Sequence, residues 1–164
     1  MEDKPPVLYH GSTKKNGGSF TPMLLQSTED HIHSKPAVFA TEHAGIASLF
    51  MMPEDALFSI GYEQGIPYVC IWGTAEEFIS KDRGGYLYLF SSDTFEKVGK
   101  EYEWQSFQPV EPREARHFSS VLDAFRETGV RIYFIQDDAL FDMIQANKQT
   151  RLETLKNVQP WNPT

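Results

Sequence analysis

Three short segments of the chain combine residue types that can bind a nucleotide and act on it. The first is a strand-like stretch, residues 7–10, that runs into Gly11 and Ser12. A glycine at this point lets the backbone approach a ligand closely, and its N–H and C=O can pair with a planar amide such as nicotinamide. The preceding His10 can bond a ribose hydroxyl. Taken alone, the segment is also typical of a surface histidine followed by a turn.

The second segment joins a short apolar strand, residues 37–40, to a helix that we expect over about residues 42–52. Thr41 is predicted to cap this helix. Because the free N–H groups of a helix N-terminus favour polar or anionic groups, Thr41 is also a candidate ligand-binding residue. Phe39 and Phe50 can stack on an aromatic ring, although the helical spacing of Phe50 favours burial in the core.

The third segment begins with Glu103, at the head of a strand expected over residues 103–110. A carboxylate here can accept a hydrogen bond from a ribose 2′-hydroxyl. It can also stabilise the oxocarbenium character that develops as a glycosidic bond breaks. A solvated glutamate at a strand edge is the alternative interpretation.

The order of these three segments resembles the ADP-ribosyltransferase superfamily, above all its poly(ADP-ribose) polymerase-like branch. That branch carries a histidine, an aromatic residue and a glutamate on three successive motifs, and the RNA 2′-phosphotransferases share its His-Gly opening. The resemblance covers roughly residues 7–112. It implies an α+β fold: a split β-sandwich of two small antiparallel sheets with flanking helices, which enclose a cleft for NAD.

Carried over residue by residue, the resemblance implies that Glu103 and His10 are catalytic and that Gly11 meets the nicotinamide amide. His10 would hold the adenosine ribose. Phe39 and Phe50 stand near positions where the family has tyrosines, so stacking is retained while a hydroxyl is lost. Together, the motifs and the resemblance predict that one set of residues binds NAD: His10, Gly11, Ser12, Phe39, Thr41 and Phe50.

The expected reaction is transfer of ADP-ribose from NAD to an unknown acceptor, which is a protein, a nucleic acid or a small molecule. Glu103 would stabilise the ribosyl cation. Two alternatives stay open. An RNA 2′-phosphotransferase-like enzyme needs basic residues near the phosphate, for which Lys14, Lys15, Arg113 and Arg116 are candidates. A non-catalytic member of the fold that binds a nucleotide or a protein is favoured by the missing tyrosine hydroxyls.

Composition narrows the class of protein further. The 164 residues fit one domain, and a formal net charge of −8 argues against a broad grip on duplex nucleic acid. No apolar run approaches the ~20 residues of a membrane span, and the N-terminus lacks the apolar run of a signal peptide. We therefore expect a cytoplasmic protein without membrane contact. No metal is expected, since His31 and His33 lack completing ligands, and Cys70 is expected to be an inert core thiol.

The elements that must position these residues follow from apolar periodicity and from turn residues. Strands are expected over residues 68–72, 86–90 and 130–135. A helix over 118–128 should end at Gly129, the usual left-handed cap. A last helix over about 138–157 should be followed by a frayed tail from Val158, and its apolar face consists of Leu140, Met143, Ile144, Leu152 and Leu155.

Overall fold

A computed structural model describes residues 4–23, 35–97, 102–147 and 151–163. The predicted α+β class is confirmed. The described strands are β1 (Val7–Ser12), β2 (Val38–Ala40), β3 (Phe58–Glu63), β4 (Ile66–Trp72), β5 (Gly85–Ser91), β6 (Phe95–Lys97), β7 (Trp104–Ser106), β8 (Glu114–Phe118) and β9 (Arg131–Ile135). The described α-helices are α1 (Ala44–Ser48), α2 (Ala75–Lys81), α3 (Val121–Thr128), α4 (Asp138–Ala146) and α5 (Arg151–Thr154).

The strands form three sheets of three strands in the described residues, rather than the two sheets expected. Two are antiparallel, with the orders β1-β5-β8 and β2-β7-β6. The third has the order β3-β4-β9 and is mixed, because β4 and β9 run parallel. Backbone hydrogen bonds of 2.7 and 2.9 Å between Tyr9 and Thr41 connect the first antiparallel sheet to the second. The segments that carry Gly11 and Thr41 meet at this connection.

Three apolar clusters hold the layers together. One lies between the two antiparallel sheets and includes Leu8, Phe90 and Trp104. A larger one packs α1 and α3 between the first sheet and the mixed sheet. The third lies between the mixed sheet and α4, and it contains Cys70. Burial raises the pKa of the Cys70 thiol to about 12, which keeps it protonated and inert, as expected.

Helix α1 begins later than predicted, and Thr41 does not cap it. The N-cap is His43, without a side-chain cap bond. Thr41 instead continues the strand through its backbone bonds to Tyr9, and its Oγ1 accepts a hydrogen bond from the His43 N–H at 3.2 Å. The helix then tightens into a 3-10 turn, Leu49–Met51. This turn buries Leu49 and leaves Phe50 62% exposed, so the interpretation of Phe50 as a core residue is wrong.

Helix α3 packs against α1. It ends at Gly129 in the left-handed conformation, as predicted. It starts at Val121 rather than at residue 118, because Phe118 belongs to β8 and Ser120 caps the helix. The Asp82 carboxylate also lies at this helix N-terminus, where it accepts a hydrogen bond from the Val121 N–H at 2.8 Å. A carboxylate stabilises the positive end of a helix dipole.

The C-terminal region departs most from the predictions. The expected last helix is divided into α4 and α5, and Met143 is half-exposed instead of buried, whereas Ile144 and Leu155 are buried as predicted. The segment from Val158 is held rather than frayed as far as Trp161, whose N–H donates to the carbonyl of Ile132 at 2.7 Å. No helix in the described ranges is long and apolar enough to span a membrane.

Candidate functional site

A cavity of about 200 Å³ lies where β1, β2 and α1 meet. This volume is smaller than the ~300–1,000 Å³ of sites that enclose a whole ligand. It suits one ring system of a ligand whose remainder lies outside. The lining residues are Tyr9, His10, Gly11, Phe39, Ala40, Thr41, Ile46, Ala47, Phe50, Tyr102 and Glu103.

The structure brings all but one of the sequence-predicted site residues to this cavity. The exception is Ser12, which follows Gly11 in β1 but does not line the cavity. Its hydroxyl accepts a hydrogen bond from the Lys14 N–H at 3.1 Å and so stabilises the turn after the strand. Thr41 lines the cavity although it does not cap α1.

The backbone of Gly11 is directed towards the cavity by the register of β1. Backbone groups of an antiparallel strand point to alternate edges. The N–H and C=O of Tyr9 bond Thr41 on the edge opposite β5, so those of Gly11, two residues later, lie on the same edge. A donor and an acceptor therefore stand side by side, which is the arrangement that pairs with a carboxamide.

Gly11 is also required by packing. A Cβ added at this position would lie 1.9 Å from the carbonyl oxygen of Ala47 in α1. Helix α1 consequently contacts the backbone of β1 directly, and this contact forms the floor of the cavity. The absence of a side chain thus has a purely structural cause as well as the functional one inferred from the sequence.

A hydrogen bond to the backbone of Phe39 fixes the orientation of the His10 ring. Its Nδ1 lies 2.7 Å from the carbonyl oxygen of Phe39, so Nδ1 carries the proton and donates. In the neutral ring the other nitrogen, Nε2, is then an acceptor. Desolvation lowers the pKa of His10, although the Phe39 carbonyl partly opposes this effect. The residue can therefore accept a hydrogen bond from a ligand hydroxyl at neutral pH.

Four aromatic side chains line the cavity together with His10. Phe39 and Phe50 both line it, and Phe50 is the exposed one at its mouth. Tyr9 and Tyr102 line it as well. The sequence did not predict these two tyrosines as site residues, because the resemblance placed the tyrosines of the family at Phe39 and Phe50. Tyr102 stands immediately before Glu103, and that adjacency was the available signal.

Glu103 comes from the segment that enters β7, far from His10 in sequence. It lines the same cavity, and its Oε2 atom is buried. Strand β7 is shorter than the predicted strand, since it ends at Ser106. Strand β7 pairs with β2, and Trp104 lies opposite Ala40. Glu103 directly precedes Trp104, so it stands at the end of this pair of strands. A histidine, a backbone amide pair, aromatic rings and a carboxylate thus converge.

The basic residues considered for phosphate binding lie elsewhere. None of Lys14, Lys15, Arg113 and Arg116 lines the cavity. Arg116 is engaged with Glu127, to which its Nη2 donates at 2.6 Å. His31 and His33 lie outside the described residues, among which no cluster of metal-ligand side chains occurs.

Comparison with protein families, with curated proteins and with solved structures found no match.

Proposed function

We propose that this protein is an NAD-dependent ADP-ribosyltransferase with the split β-sandwich fold of that superfamily. The observation that carries the proposal is convergence: His10, Gly11, Phe50 and Glu103 come from three distant segments and line one cavity. The two antiparallel sheets, joined between Tyr9 and Thr41 beside that cavity, are in keeping with the same fold.

In the proposed complex the nicotinamide ring enters the cavity. Its carboxamide pairs with the N–H and C=O of Gly11, and Phe50 closes over the exposed face of the ring. His10 accepts a hydrogen bond from a ribose hydroxyl through Nε2, since its Nδ1 is committed to Phe39. The rest of the dinucleotide lies outside, as the small volume of the cavity requires.

The reaction breaks the bond between the ribose C1′ and the ring nitrogen of nicotinamide. Nicotinamide leaves with the bonding electron pair and becomes neutral, while positive charge develops on the ribose. The carboxylate of Glu103 stabilises that charge and orients the acceptor. The acceptor donates a lone pair to C1′ and loses its proton to Glu103 and then to solvent.

NAD titration by calorimetry and a nicotinamide-release assay test the proposal in wild type and Glu103→Gln. The variant should bind NAD nearly as well as wild type, and its release rate should fall by about 10²–10³-fold. Glu76→Gln, an exposed carboxylate in α2, is the matched control and should release nicotinamide at the wild-type rate.

Failure of the wild type to bind NAD at millimolar concentration would overturn the proposal. Binding without nicotinamide release by the wild type would remove the catalytic role and would favour the non-catalytic, nucleotide-binding alternative. Equal release by wild type and Glu103→Gln would show that another group stabilises the transition state.

A further inference from the structure

A second and larger cavity lies beside the first, and Tyr102 lines both. It has a volume of about 590 Å³ and is formed by β3, β4, α4 and α5. Its lining residues are Ser59, Ile60, Gly61, Tyr62, Glu63, Tyr68, Tyr102, Gln145 and Arg151. Because Glu103 follows Tyr102 directly, the second cavity lies next to the segment that carries the proposed catalytic carboxylate.

Arg151 is a buried cation in the wall of this cavity. It is only 6% exposed. Its Nε donates to the carbonyl of Ile144 at 2.7 Å and its Nη1 to the carbonyl of Ile60 at 2.8 Å. A guanidinium has five N–H donors, so three remain. Among the described residues no carboxylate lies within ion-pair distance of it, and the nearby negative charge is that of Glu63, which lines the same cavity. Buried donors that remain unused favour a further acceptor.

A second unused donor lies nearby. The Tyr68 hydroxyl is buried, and no described group forms a hydrogen bond with it. Gly61 makes room for it, since a Cβ there would lie 2.3 Å from the hydroxyl oxygen. Burial, with a smaller effect from the Glu63 charge, raises the pKa of Tyr68 to about 12 and keeps it a donor. Arg151 opposes this shift as a neighbouring donor and then by its positive charge, while Glu63 acts as a neighbouring acceptor, so the three groups lie close together.

The charges in the cavity distinguish between possible anions. Arg151 supplies one positive charge, while Glu63 adds a negative charge on the same wall, where its Oε2 accepts a hydrogen bond from the Leu152 N–H at 3.0 Å. Because Arg151 and Glu63 leave the cavity without net charge, a phosphate dianion would add two unbalanced negative charges. A carboxylate carries one charge, and its two oxygens match the planar fork of a guanidinium.

Aromatic rings form the side of the cavity that faces the first site. The centroids of Tyr62 and Tyr102 are 5.1 Å apart in an edge-to-face contact. Such a wall favours a ligand with a planar or apolar body over a strongly hydrated one.

We propose that the second cavity binds the acceptor of the transfer reaction through a carboxylate, which Arg151 and Tyr68 hold. The carboxylate anchors the acceptor and is distinct from its nucleophile, which extends past Tyr102 towards Glu103. The identification of the ligand as an acceptor rests on the proposed function, whereas the carboxylate site itself does not.

Benzoate is the probe for the carboxylate site, with phenyl phosphate and benzyl alcohol as the phosphate and neutral counterparts. Titrations are followed by calorimetry in the presence of saturating nicotinamide, which occupies the first cavity. Benzoate should bind more tightly than either counterpart. Tyr68→Phe, which removes one buried hydroxyl and leaves the ring, should weaken benzoate binding by about tenfold or more.

Arg151→Lys keeps the charge but removes the fork, and it should weaken benzoate binding at least as much. Tyr133→Phe, another buried tyrosine of the mixed sheet but outside this cavity, is the matched control. All three variants should keep wild-type NAD affinity, and Tyr68→Phe should keep the unfolding temperature, because its hydroxyl makes no hydrogen bond to lose.

Unchanged benzoate affinity in both Tyr68→Phe and Arg151→Lys would overturn the inference, and so would tighter binding of phenyl phosphate than of benzoate. Failure of the wild type to bind NAD is a separate result. It would overturn the proposed function, whereas the benzoate titration would still test the carboxylate site.

Discussion

Replacement of Gly11 by alanine probes the contact on which the candidate site is built. The added methyl group would lie 1.9 Å from the carbonyl oxygen of Ala47, and ordinary contact begins at 3.4 Å. The helix backbone would therefore have to retreat by about 1.5 Å, the difference between these two distances.

Helix α1 has little room for that retreat. Gly45 packs against α3 so closely that a Cβ there would lie 2.8 Å from the carbonyl oxygen of Thr128. The hydroxyls of Ser48 and Thr128 are also hydrogen-bonded at 3.0 Å. We therefore place Gly11→Ala at the upper end of the range for overpacked interiors, about 3 kcal/mol of unfolding free energy. For a chain of this size that is a fall of about 6–12 °C in Tm.

Differential scanning calorimetry and urea denaturation measure the effect, with Gly17→Ala as the control. A Cβ at Gly17 meets no atom within 4 Å, so this variant should stay within about 0.5 kcal/mol of wild type. If Gly11→Ala unfolds at the same temperature as Gly17→Ala, α1 does not rest on β1 as described. The arrangement of the cavity floor would then be wrong.

Three further predictions concern other parts of the molecule. Phe50→Ala should keep the unfolding free energy within about 0.5 kcal/mol of wild type, since the ring is exposed. The same variant should weaken NAD binding in calorimetry by about tenfold, because one stacked ring is lost. Because burial lowers the pKa of His10 below 6.5, the unfolded chain binds the proton more readily, so stability should fall as the pH drops below 6.5. In urea denaturations at pH 7.5 and 5.5, the difference in stability between the two pH values should be smaller for His10→Gln than for wild type. An equal difference in both proteins would contradict the role of His10 in this pH dependence. Asp82→Ala should cost about 1.5–3 kcal/mol by the same method, through loss of charge-assisted bonds such as that to Val121; an unchanged midpoint would show that Ser120 alone caps α3.

The sequence predicts elements correctly where a local signal and the tertiary structure agree. The run that became β9 is apolar apart from Arg131, and Gly129 before it provides the positive φ that the end of α3 requires. The convergence of Gly11 and Glu103 was predicted only through the order of motifs, because no spacing rule connects residues so far apart in the chain.

The failures arose where packing overrides local preference. Strand β8 has the sequence Glu114–Phe118 and is largely polar, because it is an edge strand whose side chains face solvent. Thr41 is a good cap by composition, but its backbone is committed to Tyr9. Two tyrosines of the second cavity, Tyr62 and Tyr68, lie on β3 and β4. Because β3 was not predicted at all, that cavity could not be found from the sequence.

The pairing of β1 with β5 has a kinetic consequence. The first strand of the chain must wait for residues after Gly85 before its hydrogen bonds to β5 can form. Long-range pairings of this kind are slow, because loop closure costs entropy before any contact repays it. A nascent chain therefore cannot bring His10 and Glu103 together until the segment that enters β7 has left the ribosome.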